Sequence, residues 1–320
     1  MIGQPVASLL APRVLIPFAL VTLIWGSTWI VITGQLGVVP PSWSVTYRFS
    51  VAAIAMFAFA AMRRELPWLD PKALVFAALL GVAQFTFNFN FVYRAEQHIT
   101  SGLVAVLFAL LIVPNTLLGR LFLKTPLEGR FLAGAGIAIV GVAMMILHEY
   151  RAAALGAGEV LLGTALTLAG VMCASSANVM QGASIARAQS MVVMIAWAML
   201  FGAVADGAYA WITTGPPVIE WAPAYLAGVL YLGIVASAVT FPLYFNVIRA
   251  VGPGQAAWSS VLIPIIAMGF STVFEGYRWA PLSIAGGVLA LAGLVIAVAK
   301  RPERPTVSGN MVAVRVERES

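Results

Sequence analysis

Ten times along the chain a long apolar run is closed by a short segment of Pro, Gly and charge. The runs fall at 14–36, 44–62, 73–92, 99–121, 129–148, 160–182, 190–212, 222–246, 255–275 and 282–299. A hydrocarbon layer about 30 Å thick is crossed by about 20 helical residues, which is the length of these runs. Inside lipid each backbone N–H and C=O needs a partner within the chain, and a helix supplies one for each. The interruptions read "GVVPPS", "RRELPWLDPK", "TTGPPVIEWAP" and "EGYRWAP", where lipid would leave polar groups unpaired. Composition agrees: 61% of the 320 residues are hydrophobic and 9% charged, against about 45–50% and about 25% in soluble domains. The expected fold class is an all-α membrane protein of ten transmembrane helices.

Basic residues give the orientation, because Lys and Arg accumulate in cytoplasmic loops. With the N-terminus inside, fourteen of the 18 basic residues fall on the cytoplasmic side. Arg94, Arg151 and Arg278 fall outside, and Arg48 lies within a span. Both termini are therefore expected in the cytoplasm, and the net charge of +6 marks topology rather than a nucleic-acid partner. Cys173 is a single cysteine in an apolar run, so no intrachain disulfide forms. His98 and His148 stand near segment ends, and no Cys/His spacing suits a metal. The first run has no Ala-x-Ala site behind it and reads as a retained helix rather than a cleaved signal. No lysine follows a glycine, which leaves no phosphate-binding loop. No cofactor is expected.

The runs form two sets of five. "WGSTW" at 25–29 aligns with "CASSA" at 173–177, placing Ser27 over Ser175 and Thr28 over Ser176. "YRAEQHITSG" at 93–102 aligns with "IRAVGPGQAA", and "GAGIAIVGVA" at 134–143 with "GGVLALAGLV". The three matches keep one order at lags of 148, 155 and 152. Five is odd, so the second set enters from the opposite side, which generates the pseudo-two-fold axis of many secondary transporters. The expected division is a cytoplasmic segment 1–13, repeats 14–148 and 160–299 joined by a linker 149–159, and a solvated cytoplasmic tail 300–320.

"LIWGSTWIVI", "VTYRFSVAAIAMF" and the long stretch from "YLGIVASAVTFPLYF" to "GGVLALAGLVIAV" resemble the EamA branch of the drug/metabolite transporter superfamily. The resemblance covers residues 14–299. It implies two inverted five-helix repeats around a central cavity in a bacterial inner membrane, and export of metabolites, usually amino acids or related compounds. One departure stands out. Where the family often ends the fourth helix of a repeat with Gly-Glu, the first half has Leu123-Lys124 and the second keeps an acid in Phe274-Glu275.

Polar residues inside the spans point to the cavity. "QFTFNFNFVYR" (84–94) alternates like a strand, but on a helix Gln84 and Asn88 lie within about 40° of each other. Thr86 and Asn90 form a second stripe on nearly the opposite side. One stripe should face the cavity and the other a neighbouring helix, and the sequence leaves open which. The expected lining is Trp25, Ser27, Thr28, Gln84, Asn88, Ser175, Ser176, Asn178, Tyr244, Trp258 and Ser259. Asn246 and Ser260 fit the same wall. Small residues there also serve as packing notches, and Trp and Tyr also serve as interfacial anchors. Pro114 and Pro264 should break the fourth and ninth helices, freeing carbonyls.

Intramembrane charges are the coupling candidates: Arg48, Asp206 and Glu275. Arg48, read as one turn deep, should pair with Asp206 or Glu275, or attract an anionic carboxylate. The reading of the whole chain is a secondary exporter of a small molecule, embedded in lipid and compatible with a homodimer. Two alternatives remain. One is a membrane-embedded enzyme acting on lipid intermediates, for which Arg94, Glu96 and His98 are the available groups; the other is a passive facilitator.

Overall fold

The computed structural model describes residues 11–124, 127–152, 156–251 and 258–298, and every regular element among them is helical. The helices are α1 Pro12–Thr33, α2 Pro41–Met62, α3 Pro71–Ala95, α4 Ser101–Leu123, α5 Gly129–Ala152, α6 Ala157–Gln181 and α7 Met191–Thr214. Then come α8, in consecutive pieces Pro223–Leu230, Tyr231–Val239 and Thr240–Val251, followed by α9 Ser259–Phe274 and α10 Pro281–Val298. Among the described residues nine helices are long and apolar enough to cross a membrane, while α9 has 16 residues. The ninth expected run begins at 255, and its first three positions lie outside the described residues, as does the tail 300–320.

Proline sets many of the starts. Pro12, Pro41, Pro71, Pro223 and Pro281 each occupy the first position of a helix, where a fixed φ helps and the missing N–H costs nothing. Asp70 caps α3 by accepting from the Ala73 amide at 3.0 Å. Pro114 divides α4 into Ser101–Ala109 and Ile112–Leu123, because its ring excludes the Leu110 carbonyl from the helical bond. At the break the Leu110 and Leu111 amides turn to Leu107 and Phe108. Pro264 does not act as expected, since α9 runs through it without interruption.

The packing repeats itself. Helix α5 lies on α10, α2 on α7 and α4 on α9, each joining counterparts of the two halves. The other main contacts come in equivalent couples: α1 with α8 and α6 with α3; α1 with α9 and α6 with α4; α2 with α8 and α7 with α3. A two-fold axis exchanging the halves produces this pattern. Between α5 and α10 the backbones touch. A Cβ on Gly141 would stand 2.3 Å from the Ala290 nitrogen, and one on Gly134 2.4 Å from that of Ala297.

Two irregular stretches share the symmetry. Residues Val82–Phe87 of α3 and Tyr231–Val239 of α8 are π-helical. Within the second and just after it, the Ser237 and Thr240 hydroxyls donate to carbonyls five residues back, Leu232 at 2.8 Å and Val235 at 2.6 Å. These wider turns change which side chains face which neighbour, and π-helical turns are concentrated at functional sites.

Candidate substrate site

The polar candidates divide between two places. On α1, the Trp25 indole donates to the Ala236 carbonyl in the π-helical part of α8 at 3.1 Å. Its ring packs on Phe241 and Tyr244, with centroids 5.6 and 5.0 Å apart. Ser27 meets the Tyr231 hydroxyl at 2.7 Å, and Thr28 bonds within its own helix to Trp25. Tyr244 engages Ser259 at the start of α9, and Tyr244 and Trp258 both pack against the cluster of Val14, Phe18 and Val247. Trp25, Ser27, Tyr244, Trp258 and Ser259 thus form one wall along α1, α8 and α9.

On α3 the two stripes take different partners. Thr86 donates to the Gly202 carbonyl of α7 at 2.9 Å, and Asn90 bonds Asp206 of the same helix. This stripe fastens helices together. The Gln84 and Asn88 stripe keeps buried side-chain oxygens, Oε1 and Oδ1, without a hydrogen-bond partner. Asn88 lies against Gly170 of α6. Leaving such an oxygen bare costs about 1–3 kcal/mol, so this stripe, unlike the other, keeps hydrogen-bonding capacity that the protein does not use.

The expected α6 residues behave otherwise. Ser175 reaches the Leu111 carbonyl beside the break in α4, at 3.4 Å, and Asn178 reaches Asn115 of α4 at 3.4 Å. Ser176 is exposed on the face of Leu168 and Met172 and bonds its own helix. It belongs to an outward apolar face, not to the space between the halves. Alignment with Thr28 misplaced it, because helical phase is not conserved by a one-residue match.

Each of the three charges has a setting the sequence did not reveal. Asp206 is fully buried and ends a chain of donors. Arg94 donates to Ser42 at 3.2 Å, Ser42 to Asn90 at 2.7 Å, and Asn90 to Asp206, whose other oxygen accepts from Thr46 at 3.0 Å. The expected Arg48–Asp206 pair is replaced by this relay. Glu275 instead caps α4: it accepts from the Ser101 amide at 3.1 Å and hydroxyl at 2.7 Å, a favourable place for a carboxylate. Thr33 of α1 lies between Glu275 and Glu96, at 3.4 and 2.9 Å. Arg48 pairs with neither acid. It stands two turns into α2, since the helix begins at Pro41, and its guanidinium lies 4.3 Å from the Phe89 ring centroid and 5.1 Å from that of Phe49.

Glu96 and Thr33 were missed as members of this set. Glu96 had been grouped with Arg94 and His98, but the structure scatters that trio. His98 contacts Glu159 at 2.5 Å, Arg94 contacts Ser42 and Tyr209, and Glu96 contacts Thr33. The link is between helix ends far apart in sequence, and no local pattern announces it.

Both ends of the bundle carry bonds between the halves; at the one near Arg63, Ser190 donates to Glu65, Gln189 to Asp70 at 3.2 Å and the Trp197 indole to the Pro67 carbonyl at 2.7 Å. At the end carrying Arg63 and Arg187, a cavity of 540 Å³ opens between α2, α3, α7 and α8, lined by Phe59, Leu80, Gln181, Met191, Pro242 and Asn246 among others. The opposite end is joined by the Thr33, Glu96, Glu275 and Ser101 contacts and by Gln35 donating to the Tyr225 carbonyl at 3.1 Å.

Comparison with known proteins agrees with this architecture. The chain is 30% identical over 299 residues to the uncharacterized inner membrane transporter YedA of Escherichia coli K12, covering 89% of this chain and 92% of that one. It is 24% identical over 289 residues to a probable amino-acid metabolite efflux pump of the same organism, covering 87% and 92%. A crystal structure with 22% identity superposes with a TM-score of 0.64, over 88% of this chain and 95% of the other. The EamA-like transporter family matches residues 13–147 and 161–299. With its apolar helices and their paired halves, the chain is an integral inner-membrane protein, a transporter with a small-molecule substrate. It belongs to the EamA-like transporter family.

Proposed function

We propose that the protein exports small metabolites, amino acids or related compounds, by alternating access, with the Arg63 end and both termini in the cytoplasm. The observation that carries the reading is the 540 Å³ cavity between helices of the two halves at the Arg63 end. Bonds from Ser190 to Glu65 and from Gln189 to Asp70 cross its rim, whereas at the Glu275 end the helices of both halves are tied together directly. That is the arrangement of a carrier waiting to load from the cytoplasm, and rocking one half against the other would reverse it. The cargo class draws on the relative named an amino-acid metabolite efflux pump. The scattered Arg94, Glu96 and His98 give no support to a membrane-embedded enzyme.

The test is metabolite profiling of medium from cells with and without the protein, followed by reconstitution of the purified chain in vesicles. Export of at least one amino acid or close derivative should rise severalfold with the protein and should be saturable. Identical profiles would sink the reading. Countertransport then separates a coupled carrier from a facilitator, since only coupling moves substrate uphill.

A further inference from the structure

Arg48 is an intramembrane cation without an anion. Its residue is 4% exposed, and its Nε and Nη1 have no hydrogen-bond acceptor. Neither ion pair among the described residues, Arg63–Glu65 or His98–Glu159, involves it. The Phe49 and Phe89 rings cover it, and its polar neighbour there is the neutral Tyr93 phenol, which supplies no negative charge. Faces of phenylalanine rings offset only a small part of what a buried guanidinium loses on leaving water. Intramembrane charges of this kind mark substrate paths.

The position lies deeper along the same helices that line the open cavity. On α2, Phe59 lines the cavity, and Ala55, Ala52 and Arg48 continue its stripe at helical spacing. On α3, Leu80 lines the cavity, and Gln84 and Asn88 follow it at four-residue steps, both with a bare buried oxygen. The two stripes run from the cavity toward the closed end. Small alanines on one and amides on the other leave Arg48, along α2, as the next cation beyond Arg63 and Arg187, which line the cavity.

We propose that Arg48 is the anchor for a carboxylate on the transported molecule, with Phe49 and Phe89 flanking an apolar part of it. This deepens the exporter reading and rests on it. A carboxylate is favoured over a phosphate by charge balance: a single guanidinium whose Nε and Nη1 have no acceptor matches one negative charge. Arginine suits planar carboxylate recognition better than lysine does.

The experiment uses the purified full chain in lipid nanodiscs and three probes: benzoate, benzamide and inorganic phosphate. Tryptophan fluorescence and the thermal unfolding midpoint report binding. Benzoate should bind saturably, benzamide at least tenfold more weakly, and phosphate no better than benzamide. Arg48→Gln should weaken benzoate tenfold or more, with Arg48→Lys in between. The comparison of probes on the unaltered protein stands even where Arg48→Gln fails to fold. Equal binding of benzoate and benzamide, or of benzoate and phosphate, would overturn the carboxylate anchor. Benzoate binding without any metabolite export would instead overturn the exporter reading and leave the anchor standing.

Discussion

At the residue scale, Asp206 shows why a buried carboxylate has to be read with its neighbours. Asn90 and Thr46 both donate to it, and the Asn90 amide is held in that orientation because its oxygen accepts from Ser42. Asn90 and Thr46 each donate to one of its two oxygens, so both oxygens act as acceptors. Asp206→Asn places an additional donor among donors and should cost about 1–3 kcal/mol. Purified Asp206→Asn should unfold several degrees lower, with gradient-driven uptake and substrate exchange falling together. Loss of gradient-driven uptake alone, with stability and exchange intact, would make Asp206 a coupling group. The sequence made both polar stripes of α3 legible, because four-residue spacing is local. It could not say that Thr86 and Asn90 are consumed by α7 while Gln84 and Asn88 stay open, since that depends on which helix arrives at each face.

At the element scale, the small residues shared by α5 and α10 were visible as an aligned Gly-to-Gly spacing in both halves, and the structure gives them a direct use. The helices meet backbone to backbone, with Gly141 and Gly134 of α5 set against Ala290 and Ala297 of α10. Gly136 on the same helix has nothing within 4 Å of an added Cβ. Gly141→Ala should therefore force the helices apart and lower the unfolding midpoint by several degrees. Gly136→Ala should leave it unchanged or raise it slightly, by relieving the helical cost of glycine, about 1 kcal/mol at most. Equal effects of the two would show that the close approach contributes nothing. Helix starts were less legible than helix existence: expected starts at 44 and 73 became Pro41 and Pro71, because hydropathy sees where apolar character begins and misses a proline one turn earlier. The π-helical stretches were not legible at all. They arise from how α3 and α8 fit against their neighbours, and their residue types do not set them apart from the α-helical turns on either side.

At the scale of the whole molecule, the two-fold pattern of helix contacts turns local bonds into a question of which end is open. The bonds around Glu275 join α1, α4 and α9, and separation of those helices would break them. Hydrogen bonds to a charged group contribute about 1.5–3 kcal/mol each. Their loss in Glu275→Ala should shift the population about tenfold or more toward a form open at that end. Thr28 serves as the reporter: it is 7% exposed, lies below Thr33 on α1, and bonds only within its own helix. In a Cys173→Ala background, Thr28→Cys should react slowly with a membrane-impermeant maleimide added outside intact cells. Adding Glu275→Ala should speed that reaction at least tenfold, while tags at both termini stay protected from external protease. An unchanged rate would mean that the Glu275 contacts hold α4 without gating access. Faster labelling from the cytoplasmic side, or a C-terminal tag found outside, would reverse the orientation and make the Arg63 end the external mouth.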